Sequence, residues 1–312
     1  MCNMNTIKKA VITGATGAVG ISLIKELINQ GIQVTAICHK NSKRIINIPD
    51  SSLVQIIECN MDEYSILKCT LNDTFDAFFH LAWDGTYGKY RDDLQIQLLN
   101  VKYTLDAVSL AKTLGCKVFI GAGSQSEYGH VEGVITSTTP CNPDNGYGIA
   151  KLAAGQMSRI KCNELGIRHI WCRIISLYGP YDGNQTMVMS LIKQLLNNER
   201  PKCTYGNQIW DYIYNKDAAR ALRFMAENGK NNEIYCLGSG KSRFLKDYIL
   251  DIKDAINPNA QIGFGEIDYY PHQVMHLEVD ISNLKKDVGF EPKYTFLQGI
   301  RETVDWYKEH IL

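Results

Sequence analysis

Apolar positions follow two rhythms along this chain. Short apolar runs alternate with longer stretches in which apolar residues recur every three or four positions. The runs Lys8–Thr13, Gln33–Cys38, Leu53–Glu58, Asp76–Leu81, Lys117–Gly121 and His169–Ile175 predict buried strands. The helical spacing predicts helices from about Gly17 to Gln30, closed by Gly31, and over Asp92–Leu114 and Asn145–Leu165. Strands alternating with helices imply an α/β fold of the Rossmann type: a doubly wound parallel sheet with helices on both faces. Ligands of such sheets sit at the carboxyl ends of the strands.

After Ile175 the rhythm changes. Tyr178-Gly179-Pro180 breaks the chain. A helix (Thr186–Asn197), a strand-like run (Ile209–Tyr214), a helix capped by Asp217 and a last sheet strand (Ile234–Leu237) follow. Phe244–Leu312 mixes helix and strand. We expect a dinucleotide-binding domain over residues 1–175 plus about 215–237. A smaller, mixed α/β C-terminal substrate lobe takes about 176–214 and 238–312.

The candidate chemistry falls at strand ends. Gly14-Ala15-Thr16-Gly17-Ala18-Val19-Gly20 joins the first strand to the first helix. Gly14 permits a tight turn, Gly17 lets backbone approach a pyrophosphate, and Gly20 lets the helix pack closely; N–H groups at the helix start then face the phosphates. Strand two ends at Cys38 without the carboxylate that would hold the ribose of NAD. His39, Lys40, Lys43 and Arg44 follow instead, so we expect NADP, with NAD as the alternative. Leu81, Ala82 and Trp83 end the fourth strand beside the cofactor, and His80 reads as a packed histidine. Tyr147 and Lys151 share a helix face. The ammonium and the nearby helix start would lower the phenol's pKa, and Lys151 can also hold the nicotinamide ribose. Ser124, ending another strand, can bond a substrate carbonyl, and Asn100 can hold a water behind Lys151.

Together these residues resemble the extended short-chain dehydrogenase/reductase family, and within it the NAD(P)-dependent epimerase/dehydratase group that acts on nucleotide sugars. Thr13–Gly20, His80-Leu81-Ala82, Asn100, Ser124, Tyr147 and Lys151 carry the resemblance, with Leu177-Tyr178-Gly179-Pro180 and Trp210-Asp211-Tyr212-Ile213-Tyr214 downstream. It implies catalysis by Ser124, Tyr147, Lys151 and Asn100. The group's 4,6-dehydratases carry an Asp-Glu pair where this chain has Gln125 and Ser126, and Glu127 comes one residue late; dehydration is therefore not expected. Gln125 and Tyr181 also replace the Cys and His of enzymes resembling GDP-fucose synthase, which argues against double epimerisation. Two reactions remain: NADPH-dependent reduction of a 4-keto-(6-deoxy)hexose nucleotide, favoured by the basic end of strand two, and NAD-dependent 4-epimerisation. Because Tyr147 and Lys151 are both present, a non-catalytic NADP-sensing protein is disfavoured. Trp210 stands where the family has a diphosphate-clamping Arg, and Ser176 where it has an Asn. Arg243, Lys241 or His272 would take over the phosphate role, and a non-nucleotide sugar or other carbonyl compound stays open as substrate. With Gln125 and Ser126, these residues form the expected substrate site. Relatives pair their two long helices across a two-fold axis, which implies a homodimer.

Composition narrows this further. Among 312 residues, Lys+Arg and Asp+Glu are both 33, so no net charge draws the chain to nucleic acid or a membrane. The polar start, Met1–Lys9, is not a secretory signal, and no apolar run has the length of a membrane span. The ten cysteines form no Cys-x-x-Cys pair, which suits reduced, structural thiols in the cytoplasm. His272 and His276 lack acidic partners in a metal-binding pattern, so no metal is expected.

Overall fold

The computed structural model describes residues 6–67, 71, 73–271 and 273–311. Cys2, Cys69 and His272 lie outside the described residues. Seven parallel strands form the main sheet: β1 (Lys9–Thr13), β2 (Gln33–Cys38), β3 (Val54–Glu58), β4 (Ala77–His80), β5 (Val118–Ser124), β6 (Arg168–Ile174) and β7 (Glu233–Leu237). Their order is β7-β6-β5-β4-β1-β2-β3. The chain therefore reverses direction across the sheet between β1 and β4, and that switch point opens a crevice at the strands' carboxyl ends.

Period-two alternation assigns each strand residue to a face. Ala10, Ile12, Ala36, Phe79 and Ile120 meet α1 (Ala18–Asn29) and a later helix, Asn215–Asn228. Val11, Ile37, Phe78 and Phe119 meet α2 (Leu94–Thr113) and α3 (Gly146–Leu165). Both faces of the inner strands are covered, which is why they read as continuous apolar runs; the edge strand β3 is largely exposed.

A separate core joins α4 (Met187–Leu196), α6 (Leu245–Ile256) and α8 (Phe296–His310), with α5 (Asn215–Asn228) and α7 (Ser282–Val288) serving the main sheet's side. The strand expected over Ile209–Tyr214 is broken. Ile209–Trp210 joins a four-stranded sheet and Ile213–Tyr214 pairs with Leu177–Tyr178. Between them, the Asp211 carboxylate accepts from the Ser239 and Gly240 N–H groups. Asp217 is not a cap. It lies in the first turn of α5, and its carboxylate accepts the Lys293 and Tyr294 N–H groups, tying the end of the chain to α5. No helix among the described residues is long and apolar enough to cross a membrane.

Candidate active site

The glycine turn is built around a contact. Gly14 has φ +66°, and a Cβ there would sit 2.6 Å from the Ala82 nitrogen. Only glycine lets β1 turn this sharply against the backbone leaving β4. Thr13 stitches the same junction: its hydroxyl pairs with His80 Nδ1 at 2.9 Å and accepts the Ala82 N–H at 3.3 Å. His80 also meets the Thr104 hydroxyl, and burial, then the Lys151 charge, push its pKa down to about 3. It is a neutral packed histidine. Gly17 precedes α1 without a side-chain cap. The first N–H groups of α1, from Ala18, Val19 and Gly20, thus meet no capping side chain, and Thr16 lies half-buried beside them. A cradle that a Cβ would fill and an uncapped helix start are what a dinucleotide phosphate requires.

The end of β2 is less basic in space than in sequence. Lys40 is ion-paired with Glu63, and Glu58 accepts the Asn41 N–H at 2.8 Å. Carboxylates are thus available there after all, brought by the end of β3 and the turn behind it. His39, Lys43 and Arg44 stay exposed. Arg44 donates to the Tyr181 carbonyl at 2.7 Å.

Opposite the glycine turn, Ser124 ends β5 and Tyr147 stands in the first turn of α3, whose cap Asn145 accepts the Gly148 N–H. Burial raises the Tyr147 pKa above its ordinary value; hydrogen bonding with Ser124 and the charge of Arg91 pull it back. Lys151 lies 5.7 Å from the Tyr147 ring centre and has two closer partners. Its ammonium donates to the Ala122 carbonyl at 2.6 Å and lies 3.7 Å above the Trp83 ring. Burial brings its pKa down to about 7, against the raising effect of Glu127. A second cation at the Tyr147 ring is Arg91, a residue the sequence did not single out. Its guanidinium carbon is 4.4 Å from the Tyr147 ring centre, and it donates to the Ser126 hydroxyl at 2.7 Å.

Asn100 has a structural role as well. Its buried amide accepts the Asp84 N–H and donates to the Asp84 C=O at 2.9 Å each, so it clasps the segment after β4. Gln97 completes the clasp through Gly85, Tyr90 and the Trp83 indole. Gln125 is half-buried and donates to Ser126. Trp210 donates to the Ser176 hydroxyl at 3.0 Å, bringing those two candidates together. Arg243 pairs across the small sheet with Trp210, but its guanidinium is ion-paired with Asp251 at 2.6 Å and so is not a free phosphate ligand.

The NAD dependent epimerase/dehydratase family model matches residues 10–238. The chain belongs to this family. Among relatives, a CDP-abequose synthase of Salmonella typhimurium is 25% identical over 307 residues, covering 94% of this chain and 96% of that one. A dTDP-glucose 4,6-dehydratase of Xanthomonas campestris is 29% identical over 203 residues, covering 61% of this chain and 57% of that one. Among solved structures, a UDP-N-acetylglucosamine 4-epimerase from Methanobrevibacter ruminantium superposes with a TM-score of 0.87 at 24% identity, covering 97% of this chain and 99% of that one. For the family, the fold and the dinucleotide cradle agree: the glycine turn, Leu81 and Ala82 lie together at the sheet's switch point.

Proposed function

We propose that this protein reduces the 4-keto group of a nucleotide-linked (6-deoxy)hexose with NADPH. The observation that carries this reading is the state of the acids. Ser124 ends β5 and Tyr147 and Lys151 stand on α3, whereas Glu127, the acid nearest the dehydratase positions, is fully buried and bonded to Trp171 and Arg173. The end-to-end match to a synthase, against the partial match to a dehydratase, supports the same choice.

When bound, the dinucleotide supplies a hydride. The residues of the chain do the rest. Ser124 donates a hydrogen bond to the ketone oxygen. Tyr147 gives its phenolic proton to the alkoxide that forms there, so the carbonyl gains hydride at carbon and a proton at oxygen. Lys151 would hold the nicotinamide ribose. Ser176 and Trp210 border the sugar nucleotide, and Gln125 and Ser126 the hexose. His39, Lys43 and Arg44 meet the 2′-phosphate of NADPH; no carboxylate pairs with Lys43 or Arg44 among the described residues.

The test offers the purified protein CDP- and dTDP-linked 4-keto-6-deoxyhexoses and follows NADPH absorbance. We expect turnover, and NADPH bound at least about tenfold more tightly than NADH, the equivalent of ~1.4 kcal/mol. Interconversion of 4-epimers by protein that retains nicotinamide through gel filtration would assign an epimerase instead.

A homodimer is part of this reading. Leu94, Leu98 and Leu99 on α2 and Ile149, Met157 and Ile160 on α3 are exposed apolar residues on two helices packed side by side. Light scattering at micromolar concentration should give twice the mass of the chain, and Leu98→Glu should give a folded monomer. A wild-type monomer would remove the dimer from the proposal.

A further inference from the structure

We infer that Arg91 is a positioning residue that, beside Lys151, holds the Tyr147 phenol in its working ionisation range, acting through the face of the ring. This rests on the reading of Tyr147 as the proton donor. The motif supplies one cation, Lys151, and the geometry adds a second, nearer the ring face. The Lys151 ammonium lies 5.7 Å from the Tyr147 ring centre and 3.7 Å from that of Trp83, and it donates to the Ala122 carbonyl. The Arg91 guanidinium lies 4.4 Å from the Tyr147 ring centre. A cation over an aromatic face at this range is attracted to the ring, and a positive charge so close favours the phenolate over the phenol.

Arg91 is held there by neutral groups. It donates to the Ser126 hydroxyl at 2.7 Å and to the Thr86 carbonyl at 3.4 Å, and no carboxylate lies within ion-pair distance of it among the described residues. Its charge is therefore not cancelled locally. The other charged or titratable groups acting on the phenol are Tyr87 from the segment after β4, Glu127 from the turn after β5 and Lys151 from α3 itself. Glu127 and Tyr87 oppose the phenolate, while Ser124 and Arg91 favour it. Glu127 is already paired with Arg173. Ser126 gains a meaning as well: an acid at that position would neutralise Arg91, whereas a hydroxyl anchors the guanidinium and leaves its charge to the ring.

The direct test follows the ring-carbon NMR signal of labelled tyrosine, with Tyr147 assigned by its absence in Tyr147→Phe. In Arg91→Gln the Tyr147 titration should move up by about one pH unit, the effect expected from losing an adjacent cation. Arg91→Lys should restore much of it. Ser126→Ala, which frees the guanidinium, should give a smaller rise in the same direction and serves if Arg91→Gln does not fold. The high-pH limb of kcat should move upward with the titration in Arg91→Gln, while KM for NADPH stays put. Titration of Tyr147 at the wild-type pH in both Arg91→Gln and Ser126→Ala overturns the inference, as does a rise in Lys151→Met with none in Arg91→Gln. The titration needs no substrate. A shifted phenol in a protein inert toward keto-sugars would uphold Arg91's role and sink the proposed reaction alone.

Discussion

Tyr147→Phe is expected to lower turnover of a 4-keto-sugar nucleotide by about three orders of magnitude, the range for loss of a positioned proton donor. The substitution removes one oxygen and little else. The ring keeps its place, because its contacts are made by its faces and edge: the Arg91 guanidinium above it and the edge-on Trp83, with ring centres 6.0 Å apart. Dinucleotide binding should survive, since Gly14, the α1 start and Lys151 are untouched. Folding should survive too, since α3 is capped by Asn145 and its first turn does not depend on the phenol. The measurement is steady-state kcat beside a fluorescence titration of NADPH. A kcat within tenfold of wild type would show that another group delivers the proton. Loss of NADPH binding would show instead that the hydroxyl belongs to the cofactor site.

The parts of this site legible in the sequence are those fixed by local rules. The period-two and helical patterns placed all seven main strands and both long helices to within a few residues, because the inner strands are buried on both faces and each helix on one; the edge strand β3 is mostly exposed and was marked by its apolar run alone. The glycine turn was legible because a strand-to-helix reversal at Gly14 admits no side chain, whatever surrounds it. Ser124 was placed at its strand end, although β5 extends three residues beyond the Gly121 boundary that the pattern suggested.

What could not be read is what depends on partners distant along the chain. Lys40 looks free in sequence, and its counter-charge Glu63 sits in a turn beyond β3. Asn100 reads in sequence only as an amide able to hold a water, and its partner Asp84 appears once the segment after β4 folds over it. Arg91 is one of several charges in a loop, and nothing in its spacing marks it apart from Lys89. Asp217 resembles a cap, as any acid near a helix start does. The strand expected over Ile209–Tyr214 fails because Asp211, within an otherwise apolar run, finds donors in the turn at Ser239 and Gly240. In each case the pairing sets the role.

The second large effect concerns stability. Arg173→Met is expected to destabilise the fold by about 3–5 kcal/mol, the usual penalty for stripping the partner from a buried charge. Glu127 is fully buried and Arg173 is 2% exposed. The Arg173 Nε–H donates to the Glu127 carboxylate at 2.7 Å, the Trp171 indole donates at 2.9 Å, and the Ser124 backbone N–H donates at 2.8 Å. Glycines make room for this network; a Cβ on Gly155 would meet the Trp171 ring at 2.7 Å. Without the guanidinium, the buried carboxylate keeps its neutral donors but loses its counter-charge. Glu127→Gln/Arg173→Met, which removes both charges, should be more stable than Arg173→Met alone, because no uncompensated ion remains. Urea unfolding of the two single variants and the double variant measures the coupling. A loss below about 1 kcal/mol in Arg173→Met would mean that water reaches Glu127, since an exposed pair is worth no more than that. The double variant also separates stability from function: apolar isosteres often replace buried pairs without loss, so if it folds well but turns over slowly, the pair is kept for what it anchors. That anchor is the Ser124 N–H, which fixes the strand end where the hydroxyl meets the phenol of Tyr147.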